Sequence, residues 1–292
     1  YIGEGAFVYC IGLRKITIPK NVRSVGDSLF AFCNGLVSAE IMDGVSEIGN
    51  SMFYSCTNLR SVTIPESVTK IGQGAFYNCA SLSNVVIPKG VRSISDYAFN
   101  GCTNLTTITG MENLNTSEVT QMGSMFRNCG TLTAIDLSKF NTSQVTDMSQ
   151  MFYGCRNLTA IDVTALDTKN VTDMSSMFNF CNRLTGIDLS TFNTANVKNM
   201  SSMFAYASGA LTINVANFDT RNVVSMQGMF RDCEKLAALD LSSFSTPKVE
   251  NMSNMFMNDI SITTIFVSDK FVTTAVTSGE GMFAACHLLR GA

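Results

Sequence analysis

Apolar residues recur along the chain in a fixed order and at a nearly fixed interval. In one representative stretch, Phe152 is followed by Cys155 three residues later, Leu158 six later and Ile161 nine later. Successive repeat phenylalanines are separated by 23 residues four times, then 27, then 26 five times, then 27. Such a period predicts a solenoid in which each rung contacts only its neighbours. The repeat phenylalanines are Phe7, Phe30, Phe53, Phe76, Phe99, Phe126, Phe152, Phe178, Phe204, Phe230, Phe256 and Phe283.

The second half of each repeat predicts a short β-strand. Leu158, Ile161 and Val163 are apolar, while Ala160 and Asp162 fall between them, which is the alternation of a half-buried strand near its end. One strand per repeat, joined by a crossover, gives a parallel sheet with right-handed connections. We expect eleven complete strands on one face of the solenoid.

The first half of each repeat has a helical period. Val145, Met148, Met151, Phe152 and Cys155 fall on one stripe of a helix of one to two turns. We interpret the paired methionines as core residues, not as an adaptable binding surface. The predicted fold class is therefore α/β: a right-handed β/α superhelix with a parallel sheet on one face and short α or 3₁₀ helices on the other.

Two versions of the repeat divide the chain without separating it into domains. Residues 1–110 follow the 23-residue version, and residues 111–292 follow the 26-residue version. The columns of Leu and Ile continue across the join at Gly110. We therefore expect a single continuous solenoid over residues 1–292.

Ten cysteines follow the repeat phenylalanines by three residues, and only the repeats of Phe204 and Phe256 lack one, with Ala207 and Asp259 in its place. An even number of cysteines is compatible with disulfides in a surface protein. We favour a column of buried, unpaired thiols instead, because free cysteine is among the most buried residue types. With one cysteine per rung and no C-x-x-C pair, zinc is not expected.

Charge and hydropathy argue against several classes of function. The net charge is −3 and no basic stripe occurs, so nucleic acid is not an expected partner. No apolar run reaches the ~20 residues of a membrane helix, so we expect no membrane insertion. An enzyme needs unlike residues to converge, whereas here each residue type forms a column and the sole histidine is His287. We therefore expect no catalytic residues, no cofactor and no metal.

The quoted motifs resemble two known repeats. The 23-residue phrase, as in V-T-K-I-G-Q-G-A-F-Y-N-C-A-S-L-S-N-V-V-I-P, resembles the BspA-like, Treponema-type leucine-rich repeat. The 26-residue phrase N-T-S-Q-V-T-D-M-S-Q-M-F-Y-G-C-R-N-L-T-A-I-D-V is similar to a bacterial surface-protein repeat often found beside it. The resemblance implies a leucine-rich-repeat superhelix, a secreted or outer-surface location and a role in adhesion. It supplies no catalytic residues.

The chain begins at Tyr1 and ends at Ala292 within a repeat, so we expect its leader and end caps to lie outside this sequence. The favoured function is a binding scaffold that presents its sheet face to an extracellular protein of host, matrix or microbial origin. A glycan is a weaker candidate because the outward strand positions hold no Tyr or Trp. A passive spacer holding another domain off the cell is the alternative. A binding face should show breaks in the columns, and Phe266, Met42 and Met111 are the outward residues that do so.

Four aspartates form the remaining candidate for partner binding. They lie ten residues after a repeat phenylalanine, at outward strand positions; Asn214 interrupts the column and Phe266 ends it. Parallel stacking places neighbours roughly 5 Å apart, where like charges repel by about 1 kcal/mol in water, so we expect raised pKa values. The aspartates are Asp136, Asp162, Asp188 and Asp240.

Two interpretations of this acidic column are open. The functional one is a stripe that attracts a basic partner or a cation. The local one is that nearby hydroxyls donate hydrogen bonds to the carboxylates, and we favour it because side chains commonly satisfy one another in this way across strands. The candidate donors are Ser138, Thr164, Ser190 and Ser242, two residues later, and Thr133, Thr159 and Thr185, three residues earlier.

Overall fold

The computed structural model describes residues 1–114 and 116–290; Asn115, Gly291 and the final residue Ala292 lie outside the described residues. Within that part of the chain, parallel strands follow one another in sequence order, as expected for a leucine-rich-repeat β-solenoid. The strands are β1 Lys15–Ile18, β2 Ser38–Ile41, β3 Glu47–Ile48, β4 Ser61–Thr63, β5 Lys70–Ile71, β6 Asn84–Val86, β7 Ser93–Ile94, β8 Thr107–Thr109, β9 Gly186–Asp188, β10 Thr212–Asn214, β11 Ala238–Leu241 and β12 Thr264–Val267.

The strands form two parallel ladders. The sheet face contains the groups β1-β2-β4, β6-β8, β9-β10 and β11-β12. A second ladder starts with the bridge between Ile2 and Val25, includes β3-β5-β7, and resumes as single bridges from Gln121 through Asp147 and Asp173 to Ser278. The register advances by one repeat, so that Ile16 pairs with Ala39 and Leu239 with Ile265. Residues at the same place in the repeat therefore become spatial neighbours.

The expectation of eleven strands on the sheet face is wrong for two rungs. Nine of these strands form, but the described segments after Cys129 and Cys155 make no ladder. A cavity of about 310 Å³ lies between them and is lined by Ile135, Asp136 and Asp162, among others. The two rungs with the first two aspartates of the column are therefore splayed on the sheet face.

The expectation of short helices on the other face is also wrong. The described residues contain no α-helix and one 3₁₀ turn, Met111–Asn113. In the rung of Phe152, Gln150 and Gly154 have φ of 57° and 72°, a left-handed conformation that a right-handed helix cannot include. The same pair of positions is left-handed in every rung. Each rung thus turns back through a chain of tight turns.

Backbone hydrogen bonds show why turns replace the helix. Within the rung, Met151 N–H donates to the carbonyl of Met148 and Cys155 N–H to that of Phe152. The alternate N–H groups leave the rung: Phe152 N–H donates to Met177 in the next one at 3.0 Å. A helix would direct every N–H along its own axis, so stacking and helix formation compete, and stacking wins. Turns three residues apart produce the same apolar spacing as a helix.

The core is a set of columns along the solenoid. Adjacent repeat phenylalanines stack from Phe7 to Phe283 with ring centroids 5.3 to 6.1 Å apart and planes within 22°. Twelve paired methionines are fully buried beside them, which confirms their core role. The corner aromatics that follow the strands are buried as well: Phe140, Phe192, Phe218 and Phe244.

The cysteines are free, and eight of the ten are buried. Each thiol after the first rung donates to the carbonyl of the phenylalanine of the preceding rung, as Cys155 Sγ does to Phe126 at 3.2 Å. Burial raises the pKa of the Cys155 thiol to about 12. The column therefore links rungs through weak hydrogen bonds and packing, and keeps its thiols protonated.

Besides the cysteines, a column of buried threonines runs along the solenoid, and it was not predicted from the sequence. The Oγ1 of Thr168 donates to the carbonyl of Asn193 in the next rung at 3.0 Å and accepts its N–H at 2.8 Å. One hydroxyl thus satisfies both backbone groups of a residue where the chain bends and no strand pairing is available. Buried threonines stand at the same place in six rungs, at Thr116, Thr142, Thr168, Thr194, Thr220 and Thr246.

The join between the two repeat versions lies at the 3₁₀ turn. Phe99 and Phe126 stack across it at 6.1 Å, and the N–H of Phe99 donates to Met125. Met111 is 1% exposed, so its interpretation as an outward break is wrong; it fills the core at the join. The described residues include no helix long and apolar enough to cross a membrane.

Candidate functional site

The acidic column lies on the sheet face, as its place in the repeat requires. Asp188 ends β9 and Asp240 lies within β11, in both cases between inward-facing apolar residues. Asp136 and Asp162 occupy the corresponding positions in the two splayed rungs and are exposed. The structure thus places all four carboxylates in solvent on one surface.

Local hydrogen bonds hold each of these carboxylates. Asp136 Oδ1 accepts the backbone N–H of Ser138 at 2.9 Å, and Asp162 Oδ1 accepts both the N–H and the hydroxyl of Thr164, at 2.9 and 2.6 Å. Ser190 and Ser242 donate their N–H groups to Asp188 and Asp240 in the same way. Within the described residues, no hydrogen bond joins the threonines three residues earlier to these carboxylates. Each aspartate therefore closes the turn that ends its strand.

These bonds overturn the expectation of raised pKa values. Hydrogen bonds from Thr164 lower the pKa of Asp162, and hydrogen bonds from Ser190 lower the pKa of Asp188. The charge of Asp162 acts in the opposite direction on the pKa of Asp136 but is outweighed by the bonds from Ser138. In exposed positions screened by water, repulsion between neighbours is weaker than direct donation of a hydrogen bond. The carboxylates are therefore fully charged at neutral pH.

Asn214 interrupts the run of like charges in the column. Asn214 pairs with Asp188 across β9 and β10, and its Nδ2 donates to Asp188 Oδ1 at 2.9 Å. Asp240 in turn pairs with Phe266 of β12. The charged column is therefore interrupted once by a neutral amide and ends on an aromatic ring.

Phe266 is the clearest break in the sheet face. It is 55% exposed, and Val267 beside it is similarly exposed. Val267 is an inward position, paired with the buried Leu241, and lines the open apolar end of the core at the last rung together with Phe271, Phe283 and Leu289. A large aromatic side chain left in water on the sheet face is typical of a contact surface.

The other exposed apolar residues that break the repeat columns agree only in part with those expected. Met42 is exposed as predicted. Val86, which is 59% exposed, was missed although it stands ten residues after Phe76, at the place of the aspartates. Leu211 is exposed too, because Ala210 occupies the buried leucine position six residues after Phe204 and Leu211 follows it by one residue.

These surfaces carry few side chains of the kinds that hold metal ions or take part in catalysis. Among residues 1–114 and 116–290, no three His, Cys, Asp or Glu side chains come close enough to hold a metal ion. His287 is exposed in the last rung. The sheet face presents charged and small side chains together with the exposed Phe266, Met42 and Val86.

Comparison with known proteins agrees with the repeat pattern. The family described as "BspA type Leucine rich repeat region" matches residues 1–133 in six copies. The family described as "Mycoplasma protein of unknown function, DUF285" matches residues 93–210 and 181–291. No curated protein matches the chain in sequence.

Solved structures share the fold. A leucine-rich repeat protein from Bacteroides ovatus is 22% identical, with a TM-score of 0.60, over 99% of this chain and 81% of the other. A leucine rich cell surface protein from Faecalibacterium prausnitzii is 22% identical, with a TM-score of 0.51, over 95% and 86%. A leucine-rich repeat protein from Eubacterium ventriosum is 18% identical, with a TM-score of 0.51, over 93% and 82%. At these identities the likeness concerns the fold.

Proposed function

The chain belongs to the family described as Mycoplasma protein of unknown function, DUF285, with BspA-type leucine-rich repeats in its first part, and from this we propose that it is a non-enzymatic binding scaffold of a bacterial outer surface. Its sheet face takes an extracellular protein of host, matrix or microbial origin. The similar Faecalibacterium prausnitzii structure is that of a leucine rich cell surface protein, which supports the location.

The observation that carries this proposal is the exposed ring of Phe266 at the end of the acidic column. Contact surfaces combine a central apolar or aromatic anchor with a polar surround. Phe266 supplies the anchor, and Asp240 adjoins it in the pairing of β11 with β12. A partner that fits this surface carries an apolar pocket flanked by basic side chains.

The repeated geometry argues against an enzyme. Catalysis needs a nucleophile, a base and a charge-stabilising group at one point. The exposed carboxylates are instead equivalent, each bonded to a backbone N–H two residues on. The buried thiols have raised pKa values, because burial disfavours the thiolate that a nucleophile requires.

Binding of the purified chain to a panel of purified extracellular proteins tests this proposal, with affinity measured from low to high salt. The double variant Asp162→Asn/Asp188→Asn removes two charges from the column, and Phe266→Ser removes the anchor. A matched control, Asp167→Asn/Asp219→Asn, makes the same charge change at corners where these residues pair with Lys169 and Arg221.

We expect both sheet-face variants to weaken binding, and the charge variant to flatten its salt dependence. The control should bind as the wild type does. Equal binding by all variants would remove the sheet face as the site. Failure of every panel member to bind would favour the passive spacer, in which the column serves only the turns.

A further inference from the structure

A cluster of arginines and aromatic rings lies on the turn side of the central rungs, apart from the sheet face. Phe180 and Tyr206 stack with centroids 4.3 Å apart and planes at 6°, and Tyr153 meets Phe180 edge-on at 5.6 Å. Three guanidinium groups lie over these rings. The arginine–aromatic cluster consists of Arg127, Tyr153, Arg156, Phe180, Tyr206 and Arg231.

The rings hold the arginines in place. The guanidinium carbon of Arg127 lies 4.7 Å from the ring centre of Tyr153, that of Arg156 lies 5.7 Å from Phe180, and that of Arg231 lies 5.4 Å from Tyr206. Each contact joins residues on neighbouring rungs. A guanidinium fixed on a ring loses little conformational entropy when a ligand binds. The cluster is therefore preorganised.

Two of these charges are not neutralised. Arg231 pairs with Asp232 at 2.9 Å. Arg127 and Arg156 form no ion pair within residues 1–114 and 116–290, and the buried Nε of Arg127 has no hydrogen-bond partner. The corner cations behave differently, because Lys169 and Arg221 each pair with the aspartate two residues earlier. The cluster thus retains positive charge in a chain whose net charge is −3.

Arginine and tyrosine are the side chains most concentrated in the energetic centres of protein interfaces. The guanidinium fork also matches a carboxylate through two parallel hydrogen bonds. A sugar would need an open ring face, but the faces of Phe180 are taken up by Tyr206 and Arg156. With these faces covered, the exposed side chain of Arg156 and the partly exposed side chain of Arg127 are left to meet a ligand, and their guanidinium groups suit carboxylate side chains.

We propose that the arginine–aromatic cluster is a second docking surface, which binds an acidic segment of a partner protein. Its charge is opposite to that of the acidic column. One chain can therefore hold a partner with basic groups on its sheet face and a partner with acidic groups on its turn side. Neither contact depends on the other.

A labelled copolymer of glutamate and tyrosine is the probe, with a lysine–tyrosine copolymer and heparin as comparisons. Fluorescence anisotropy at low salt should show that the acidic copolymer binds and heparin does not, while any binding of the lysine–tyrosine copolymer to the acidic sheet face should not depend on the arginines. Arg127→Gln/Arg156→Gln should lower its affinity about tenfold or more, since hydrogen bonds between charged partners are the strong ones. Lys169→Gln/Arg221→Gln removes two cations elsewhere and should leave the affinity unchanged.

Further variants separate the effect of losing the charge from the effect of misfolding. Arg156→Gln alone alters an exposed side chain and keeps the test open if the double variant does not fold. Arg156→Lys retains the charge but loses the planar fork, and should restore only part of the affinity. Asp162→Asn/Asp188→Asn should not change the affinity for the acidic copolymer. A failure of the arginine–aromatic cluster to bind can therefore be distinguished from a failure of the sheet-face proposal.

Two results would overturn the docking surface as described. Equal affinity of the arginine double variant and the wild type would show that the copolymer binds elsewhere. Arginine-dependent binding of heparin without binding of the acidic copolymer would assign the cluster to an anionic glycan in place of a protein.

Discussion

The side-chain amide of Asn214 donates to the carboxylate of Asp188 in the preceding rung at 2.9 Å. The repeat would place an aspartate at position 214, and the amide replaces a like charge with a hydrogen-bond donor. A single departure from the repeat therefore stabilises the charged form of its neighbour.

Asn214→Asp should raise the pKa of Asp188. The substitution removes a donor to the carboxylate and adds a like charge at the paired position. A carboxyl titration followed by NMR measures this directly. Asp136 lies in a rung two repeats before that of Asp188 and is the internal control; its pKa should not move. An unchanged pKa for Asp188 would show that Ser190 alone sets it.

Thr168→Val should destabilise the fold by about 1 kcal/mol or more, because it removes the buried hydroxyl that the N–H and the carbonyl of Asn193 share as a partner. Chemical denaturation measures the free energy of unfolding. Thr185→Val is the matched control, since Thr185 is exposed and makes no side-chain hydrogen bond among the described residues. Equal effects of the two substitutions would remove the role assigned to the threonine column.

Cys155→Ala should cost about 1–2 kcal/mol, as the truncation of a small buried side chain. Its thiol is fully buried and donates to Phe126, whereas Cys10 at the first rung is only half-buried, so Cys10→Ala should cost less. Thiol titration should find ten reactive groups after denaturation and few before it. A mass change on reduction that reveals bridges would refute the free column.

The sequence was sufficient for the solenoid and its columns because a repeated phrase fixes which residues become neighbours. The buried places of Phe152, Met148 and Cys155 follow from spacing alone. The backbone between them does not, since turns with left-handed Gln150 and Gly154 give the same apolar spacing as a helix. The right-handed sense of the superhelix stays a prediction.

Side-chain partners were harder to predict than positions. That the aspartates face outward followed from the strand pattern, and the hydroxyl of Thr164 donates as expected, whereas Ser138 donates its backbone N–H. The direction of the pKa shift was wrong because the strength of repulsion depends on exposure and on donor geometry, which spacing does not encode. The arginine–aromatic cluster was missed because its members lie at different places in the repeat and meet only through stacking.

The single domain over residues 1–292 stays a prediction, and Phe126→Ala tests it at the join. The ring of Phe126 stacks on Phe99 before the join and on Phe152 after it. Its loss should cost about 3–5 kcal/mol and lower amide protection on both sides, with the effect fading over neighbouring rungs. Hydrogen exchange measured by mass spectrometry resolves this. Loss of protection confined to residues after 110 would indicate two separate domains.

The last prediction concerns Asp259, which stands where the column calls for a cysteine. Its side chain is fully buried; Oδ1 accepts the N–H of Cys233 at 2.7 Å, and Oδ2 has no hydrogen-bond partner. Burial raises the pKa of this carboxyl to about 8, helped by the charge of Asp232 and opposed by the bond from Cys233. The folded chain therefore holds a proton that the unfolded chain releases near pH 4.

This difference fixes how stability depends on pH. Below about pH 4 the carboxyl is protonated in both states and has no effect. Between about pH 4 and pH 8 the unfolded state is ionised and the folded state is not, so stability falls as pH rises. The accumulated cost at pH 7 is about 4 kcal/mol, since pH 7 lies about three units above the unfolded pKa and each unit costs about 1.4 kcal/mol. Above about pH 8 both states are ionised and the cost levels off.

Asp259→Cys should therefore stabilise the protein by an amount that grows from pH 4 to pH 8. Thermal and denaturant unfolding of the variant and the wild type at several pH values measure this difference. Ala207→Cys fills the other gap in the same column without changing a carboxyl, so its effect on stability should be constant over that range. A constant difference for Asp259→Cys as well would show that Asp259 is ionised in the fold, with its charge stabilised by groups other than Cys233.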